Sequence, residues 1–142
     1  MRGVVRGALV GLAAIQLVLG LWTALVPESF YNDAPTVDWT PPYSEHLFRD
    51  FGGATLGNAV VIIAAAIWPE RRLVIVALTS YLVFAVPHLI FHGEHLHGGS
   101  AGLAVALMVV LVLSVLLPLA VIWIAWSALR LDTVDTPVRT VT

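Results

Sequence analysis

The chain has 142 residues, of which 59% are hydrophobic and 11% are charged, whereas a soluble domain usually has about 45–50% apolar and about 25% charged residues. These proportions exclude an ordinary soluble domain and indicate an integral membrane protein. The absence of cysteine excludes disulfides and thiolate metal sites. No segment resembles a basic nucleic-acid-binding patch, so we expect no nucleic-acid partner.

Four apolar stretches are long enough to cross a hydrocarbon core of ~30 Å, which takes ~20 helical residues. They cover residues 4–26, 46–68, 73–91 and 101–126. The segments 27–45 and 92–100 connect them on one side of the membrane, and the short segment 69–72 connects them on the other. The sequence therefore predicts an all-α fold, in which residues 1–142 form one integral membrane domain built as a four-helix transmembrane bundle.

The arginines predict the orientation of this bundle. With four spans, six of the seven basic residues lie on one side, and Arg49 alone lies toward the other. The six are Arg2, Arg6, Arg71, Arg72, Arg130 and Arg139. The positive-inside rule then predicts a multi-pass protein of the cell membrane with both termini in the cytoplasm. Because the apolar run of the first span exceeds the 7–15 residues of a signal-peptide core, we interpret that span as a retained anchor.

The first outer segment, PESFYNDAPTVDWTPPYSE, is long, acidic and rich in aromatic residues and proline. We expect it to fold over the outer end of the bundle as a lid, with Trp39 and Tyr43 anchored at the membrane interface. Ser44 is placed to cap the second span, with Glu45 in the favourable first turn. Arg49 follows Glu45 by four residues, a spacing that predicts a structural ion pair.

All five histidines lie on the outer side of the predicted topology. One begins the second span, and four end the third: His46, then His88, His92, His95 and His97. At ~100° per residue, Tyr81, His88 and His92 share one stripe of the third span. Histidines at a helix C-terminus also complement the helix dipole, so a purely structural role stays open, above all for His95 and His97.

On the second span, His46, Asp50, Gly53 and Gly57 share one stripe, and the two glycines form a GxxxG pair that permits close helix approach. We therefore expect this face to turn toward a neighbouring helix. The short turn before the third span makes spans two and three antiparallel neighbours. The stripe of His46 and Asp50 is then expected to meet the histidine stripe of the third span within the outer leaflet, where ionisable groups need partners.

Imidazole and carboxylate ligands suit a divalent transition metal such as zinc, iron, manganese or copper. An i, i+4 histidine pair presents two nitrogen ligands on one helical face. The predicted metal ligands are His46, Asp50, His88 and His92, and a second tier of alternative or supporting groups consists of Glu45, Glu94 and His95. Such a metal has either a structural role or a role in a membrane oxidoreductase or accessory subunit.

Other interpretations stay open beside the metal site. Two histidines on facing helices can ligate a haem. Alternatively, the polar cluster only stabilises the bundle, and the protein is a non-enzymatic accessory subunit that packs against other membrane subunits or further copies of itself. Gly3, Gly7 and Gly11 recur every four residues in the first span and are expected to form a small-residue face for helix packing in the bundle. A third interpretation is a lipid- or quinone-modifying enzyme that uses a His–Asp pair as general acid and base.

Two segments carry a resemblance to known proteins, "PPYSEHLFRD" before and within the second span and "VPHLIFHGEHLHG" at the end of the third. Together they resemble a group of small four-span membrane proteins common in actinobacteria, distantly similar to the DoxX-like family. The resemblance covers most of the chain and implies the same four-helix fold. It implies no reaction, and it points to residues already singled out: Glu45, His46, Arg49, Asp50, Pro87, His88 and His92.

Overall fold

The computed structural model describes residues 2–39, 42–96 and 99–128. In these ranges the chain is helical and contains no strand. The helices are α1 (Arg2–Leu25), α2 (Pro27–Asp33), α3 (Glu45–Ile67), α4 (Arg71–Glu94) and α5 (Ala101–Ala128), with a 3₁₀ turn at Val37–Trp39. Helices α1, α3, α4 and α5 are long and apolar enough to cross a membrane. The predicted four-helix architecture is confirmed, with each span placed to within about one helical turn.

Three of the predicted residues fall outside this description. His97, Arg130 and Arg139 lie outside the described residues, so the sequence-based expectations for them stay predictions.

Helix α2 lies in the segment that the sequence analysis treated as a loop. Pro27 occupies its first turn and Glu28 follows, and both residue types favour a helix N-terminus. The Ser29 hydroxyl accepts a hydrogen bond from Trp22 Nε1 at 3.2 Å, which holds α2 against the end of α1. Thr36 then adopts a left-handed conformation with φ of 74°, which turns the chain into the 3₁₀ segment.

Two glycines set the close packing of α1 against α3. A Cβ atom on Gly52 would lie 2.5 Å from the backbone nitrogen of Ala24 and 2.7 Å from the hydroxyl of Thr23. A Cβ on Gly20 would lie 2.8 Å from a side-chain carbon of Leu56. Because lipid tails are as apolar as the helix surfaces, close van der Waals contact of this kind is what holds membrane helices together.

All four long helices meet at one end of the bundle. We call it the basic end, because it carries Arg2, Arg6, Arg71 and Arg72. Its core contains twelve buried residues: Val5, Leu9, Ala13, Ile62, Ala65, Ala66, Val74, Ala77, Leu78, Tyr81, Ala85 and Ala125. Six of the twelve are alanine, which lets the helix backbones approach closely.

The other end, which we call the histidine end, has a different packing. Here the buried cluster is mainly aromatic and is formed by α1, α2, the segment that follows α2, and α3, with Phe30 and Phe48 at its centre. Helices α4 and α5 take no part in this cluster. No residue is buried between positions 86 and 94 of α4 or between 101 and 110 of α5. The bundle is therefore closely packed at the basic end and more loosely packed between α3, α4 and α5 at the histidine end.

The predicted packing role of the GxxxG pair in α3 is wrong within this chain. A Cβ atom on Gly53 or Gly57 would meet nothing within 4 Å. Gly52, one residue earlier, contacts α1 instead, and adjacent helical residues point ~100° apart. The α1 stripe of Gly3, Gly7 and Gly11 is likewise open, since α1 packs through the opposite face that carries Val5 and Leu9.

Candidate functional site

The histidine pair of α4 continues the face of that helix that forms the core. Tyr81 and Ala85 are buried on this face, and His88 and His92 follow at the next two turns, where burial becomes partial. The predicted stripe of Tyr81, His88 and His92 thus describes the inward side of α4. The two histidines lie where the packed core of α4 ends and the more loosely packed histidine end begins.

Aromatic rings surround this pair on one side. The His88 ring stacks on Phe84 at 4.9 Å between centroids, and Phe84 contacts Phe51 of α3 at 5.2 Å. The rings of His88 and His92 meet edge to face at 4.6 Å. Phe51 and Phe84 were not singled out from the sequence. Phe84 lies four residues before His88, and this spacing is a signal that would have predicted a contact between the two rings.

Neither imidazole of the pair makes a hydrogen bond to any residue in the described part of the chain. Partly buried polar groups are usually hydrogen-bonded, to protein or to water. Pro87 also lacks the N–H group that would bond to the carbonyl of Val83 within the helix. The two neutral imidazoles each keep one ring-nitrogen acceptor that no described residue bonds.

His46 and Asp50 lie elsewhere, on the open face of α3. His46 Nε2 is 3.3 Å from Asp50 Oδ2, and the two side chains are 89% and 66% exposed. The expectation that this face turns toward a neighbouring helix is wrong, because α3 uses the Gly52 face for α1. Over residues 2–39, 42–96 and 99–128, no three His, Asp or Glu side chains are grouped to hold a metal ion. The structure therefore shows two separate pairs.

Arg49 joins two helices at the histidine end. Its Nε donates a hydrogen bond to Glu45 Oε1 at 2.9 Å, as the four-residue spacing predicts. Its Nη1 donates to the carbonyl oxygen of Ala24 at 2.6 Å, one of the carbonyls at the end of α1 that lack a helical donor. The backbone N–H of Leu47 donates to Ser44 Oγ at 3.4 Å, which confirms Ser44 as the N-cap of α3.

The second-tier residues at the end of α4 have separate surroundings. His95 Nδ1 lies 2.7 Å from the carbonyl oxygen of Phe91, and its ring stacks on the Phe91 ring at 4.2 Å. His95 therefore completes the last turn of α4, a structural role typical of a helix C-terminus. Glu94 is exposed and forms no ion pair with another described residue.

The segment between α2 and α3 reaches across the histidine end. The Trp39 indole packs so tightly against Gly99, in the connection between α4 and α5, that a Cβ atom there would collide with it. Tyr43 packs on Phe48 and Tyr31, with ring centroids 5.9 and 5.4 Å away. Desolvation, with added repulsion from Glu45 and Glu28, raises the pKa of the Tyr43 hydroxyl, while Arg49 opposes the shift. These contacts agree with the expected lid.

In comparisons with known proteins, no protein-family model, no curated protein and no solved structure matches the chain. The resemblance to DoxX-like proteins therefore stays a prediction. The fold itself places the chain in a class, since four helices of this length and apolarity are those of a multi-pass integral membrane protein. Its function has to be argued from the side chains at the histidine end.

Proposed function

We propose that this membrane protein binds one divalent transition-metal ion, such as zinc, iron, manganese or copper, through the imidazoles of His88 and His92. The observation that supports this proposal is that two adjacent, partly buried imidazoles, one turn apart on α4, have no hydrogen-bond partner among the described residues. Neutral imidazole is a common ligand for zinc, iron and copper, whereas manganese prefers oxygen ligands. The i, i+4 spacing presents both rings on one face.

A site with two protein ligands leaves coordination positions for water or an external ligand. Open positions of this kind distinguish metal sites that act on ligands from closed structural sites. Iron or copper in the site would support a redox role or a role as an accessory subunit of a membrane oxidoreductase, whereas zinc has no redox chemistry. Phe51 and Phe84 shield one side of the pair. By excluding water they would lower the local dielectric constant and strengthen the electrostatic interactions of a bound ion.

The wider four-ligand site, with His46 and Asp50 added, requires α3 to present a different face to α4. In the described structure that face is open and its two side chains pair with each other. The proposal therefore takes His88 and His92 as the two essential ligands. Whether His46 contributes is a question that the same experiment answers.

Elemental analysis of detergent-purified protein tests the proposal. We expect about one equivalent of a single transition metal in the wild type, and its loss in H88Q and in H92Q, because glutamine keeps a similar size but lacks the imidazole nitrogen. The matched control is H95Q, since His95 bonds to the Phe91 carbonyl and is expected to leave the metal content unchanged. If His88 and His92 are the only protein ligands, H46Q is expected to keep the metal. If the site has four protein ligands, H46Q is expected to lose it.

Two results would overturn the metal site. The first is a wild-type protein with well under one equivalent of any metal after purification with each metal in turn. The second is unchanged metal content in both H88Q and H92Q. An absorption spectrum with a Soret band would replace the ion by a haem held by one imidazole of the pair, because two histidines one turn apart on one helix lie on the same side of a haem plane.

A second candidate function is supported by a different observation. The glycine stripes of α1 and α3 are open in the single chain, and α5 has only three buried residues, Leu111, Pro118 and Ala125. Such faces favour an accessory subunit that packs against another membrane protein or another copy of this chain. Purification from native membranes in a mild detergent tests it, and recovery of the chain only as a monomer would contradict it.

The proposal includes an orientation, with both termini in the cytoplasm and the histidine end outside. It is supported by the four arginines at the basic end and by the exposed carboxylates at the other, because positively charged loops are retained on the cytoplasmic side. A reporter enzyme fused after Thr142 is expected to give a cytoplasmic signal. An extracytoplasmic signal would place the histidine pair on the cytoplasmic side instead.

A further inference from the structure

A groove runs along the surface of the bundle between α1 and α3, at the basic end and far from the histidine pair. Its volume is about 270 Å³. Its walls are apolar, with Val10, Ala14 and Leu17 from α1 and Ile63 and Ile67 from α3, and Arg6 lies at one end. Val10 and Ile67 are about half exposed, so the groove is open to the membrane.

The dimensions of this groove match one leaflet of a bilayer. From Arg6 to Leu17 the helix rises ~16 Å, about half of a hydrocarbon core of ~30 Å. Arg6 and Ile67, the last residue of α3, both line the groove, and the adjacent Trp68 is 59% exposed, as expected for an aromatic anchor at the interface. The groove therefore extends from the interface to the middle of the bilayer.

The positive charge at the basic end indicates which polar headgroup a bound lipid would have. Among the described residues, Arg6 has no carboxylate within ion-pairing distance. Arg2 lies one turn away on the same helix. An arginine guanidinium binds phosphate oxygens in a bidentate geometry, and basic clusters beside membrane helices attract anionic lipids.

From this combination we propose that the groove holds one acyl chain of an anionic phospholipid, whose phosphate pairs with Arg6. The apolar walls fit the chain, the length fits one leaflet, and the cation lies at the depth of the headgroup. A zwitterionic lipid offers the same chain without net charge, so the two lipid classes differ at Arg6 alone. This site is independent of the metal proposal, because it lies at the opposite end of the bundle.

Native mass spectrometry of the detergent-purified protein tests the proposal. The probes are dioleoyl phosphatidylglycerol and dioleoyl phosphatidylcholine, added at equal concentration. We expect the wild type to bind the anionic lipid more tightly, and R6Q to lose about fivefold of that affinity, the factor that corresponds to ~1 kcal/mol for one basic residue near an anionic headgroup. R72Q is the matched control, because Arg72 is exposed at the same end but does not line the groove.

A second pair of variants tests the groove itself. In A14L the added carbons occupy the groove, so the bound fraction of both lipids is expected to fall. A8L makes the same change at an exposed position of α1 outside the groove and is expected to bind lipid as the wild type does. Both positions are exposed, and a helical circular dichroism spectrum unchanged from the wild type verifies folding.

Three outcomes would overturn the lipid site. The first is equal binding of the two lipids by the wild type. The second is unchanged anionic-lipid binding in R6Q. The third is a dimer mass that A14L abolishes while A8L keeps it, which would assign the groove to a second copy of this chain.

Discussion

The two halves of helix α4 differ in how many of their residues are buried. Between Val74 and Ala85 five of its residues are buried, whereas none is buried between positions 86 and 94. Apolar side chains continue past this boundary, with Val86, Leu89 and Ile90, so apolar residues are present in both halves. What changes is the neighbourhood, since all four long helices meet at the basic end and the aromatic cluster of the histidine end excludes α4.

This difference in burial shows how a small bundle can separate the residues that stabilise it from the residues that are available to a ligand. At the basic end, alanines allow close backbone contact, and this packing provides the stability of the fold. At the histidine end, the same face of α4 carries imidazoles that the protein only partly covers. A partly covered polar group needs a partner, which is what makes this half of α4 the place where a ligand is expected.

The largest expected effect comes from breaking the packed half. Leu78 is 1% exposed in the core, whereas Val83 is 72% exposed on the same helix. We expect L78A to destabilise the protein by ~2–5 kcal/mol, because the substitution leaves a cavity, and V83A to change stability little. Reversible unfolding in detergent measures both free energies. Equal losses in the two variants would show that the lipid-facing side of α4 is packed against something in solution.

The next effect distinguishes two adjacent glycines of α3. A methyl group on Gly52 would collide with the backbone of Ala24, and one on Gly53 would meet nothing. We expect G52A to lower the free energy of unfolding by ~1–3 kcal/mol through overpacking. G53A is expected to be neutral or slightly stabilising, because alanine favours the helix. Destabilisation of G53A to the same degree would indicate that a second chain covers this face.

Those two glycines also show what the sequence was able to predict. Hydropathy alone is enough for four spans, because a span depends on the total apolarity of ~20 residues and not on its neighbours. Which face of a span packs against another helix depends on the side chains of both helices. Gly52 and Gly53 are equally small, and only the position of Thr23 and Ala24 on α1 decides between them, so the GxxxG spacing favoured the wrong face.

The candidate site divides along the same line. The stripe of Tyr81, His88 and His92 follows from helical periodicity within one element, and the structure places it on the inward face of α4. Its meeting with His46 and Asp50 depended on the rotation of α3 about its own axis. That rotation is fixed by contacts with α1, which no local pattern in α3 reveals. Helix α2 was missed because its few residues form a helix through Pro27 and through contact with α1.

A smaller effect is expected at the junction of α1 and α3 at the histidine end. Arg49 bonds to Glu45 and to the carbonyl of Ala24, so R49Q loses a charged hydrogen bond between two helices. We expect a loss of ~1 kcal/mol in the free energy of unfolding. E45Q removes the exposed ion pair and the negative charge in the first turn of α3, each worth a few tenths of a kcal/mol, roughly. Similar losses in the two variants would show that the bond to Ala24 adds nothing to the contact between the helices.

The smallest effect is expected for the open face of α3. His46 Nε2 lies 3.3 Å from Asp50 Oδ2, and the two side chains are 89% and 66% exposed; exposed pairs contribute ~0–1 kcal/mol. D50N keeps a side-chain oxygen and nearly the same size beside His46, so we expect its unfolding free energy to differ from the wild type by less than ~0.5 kcal/mol. A loss as large as that of R49Q would mean that Asp50 has a partner beyond His46. The metal content of the same variant then decides what that partner is, because a ligand carboxylate releases the ion when it becomes an amide, whereas a carboxylate that contacts a second chain does not.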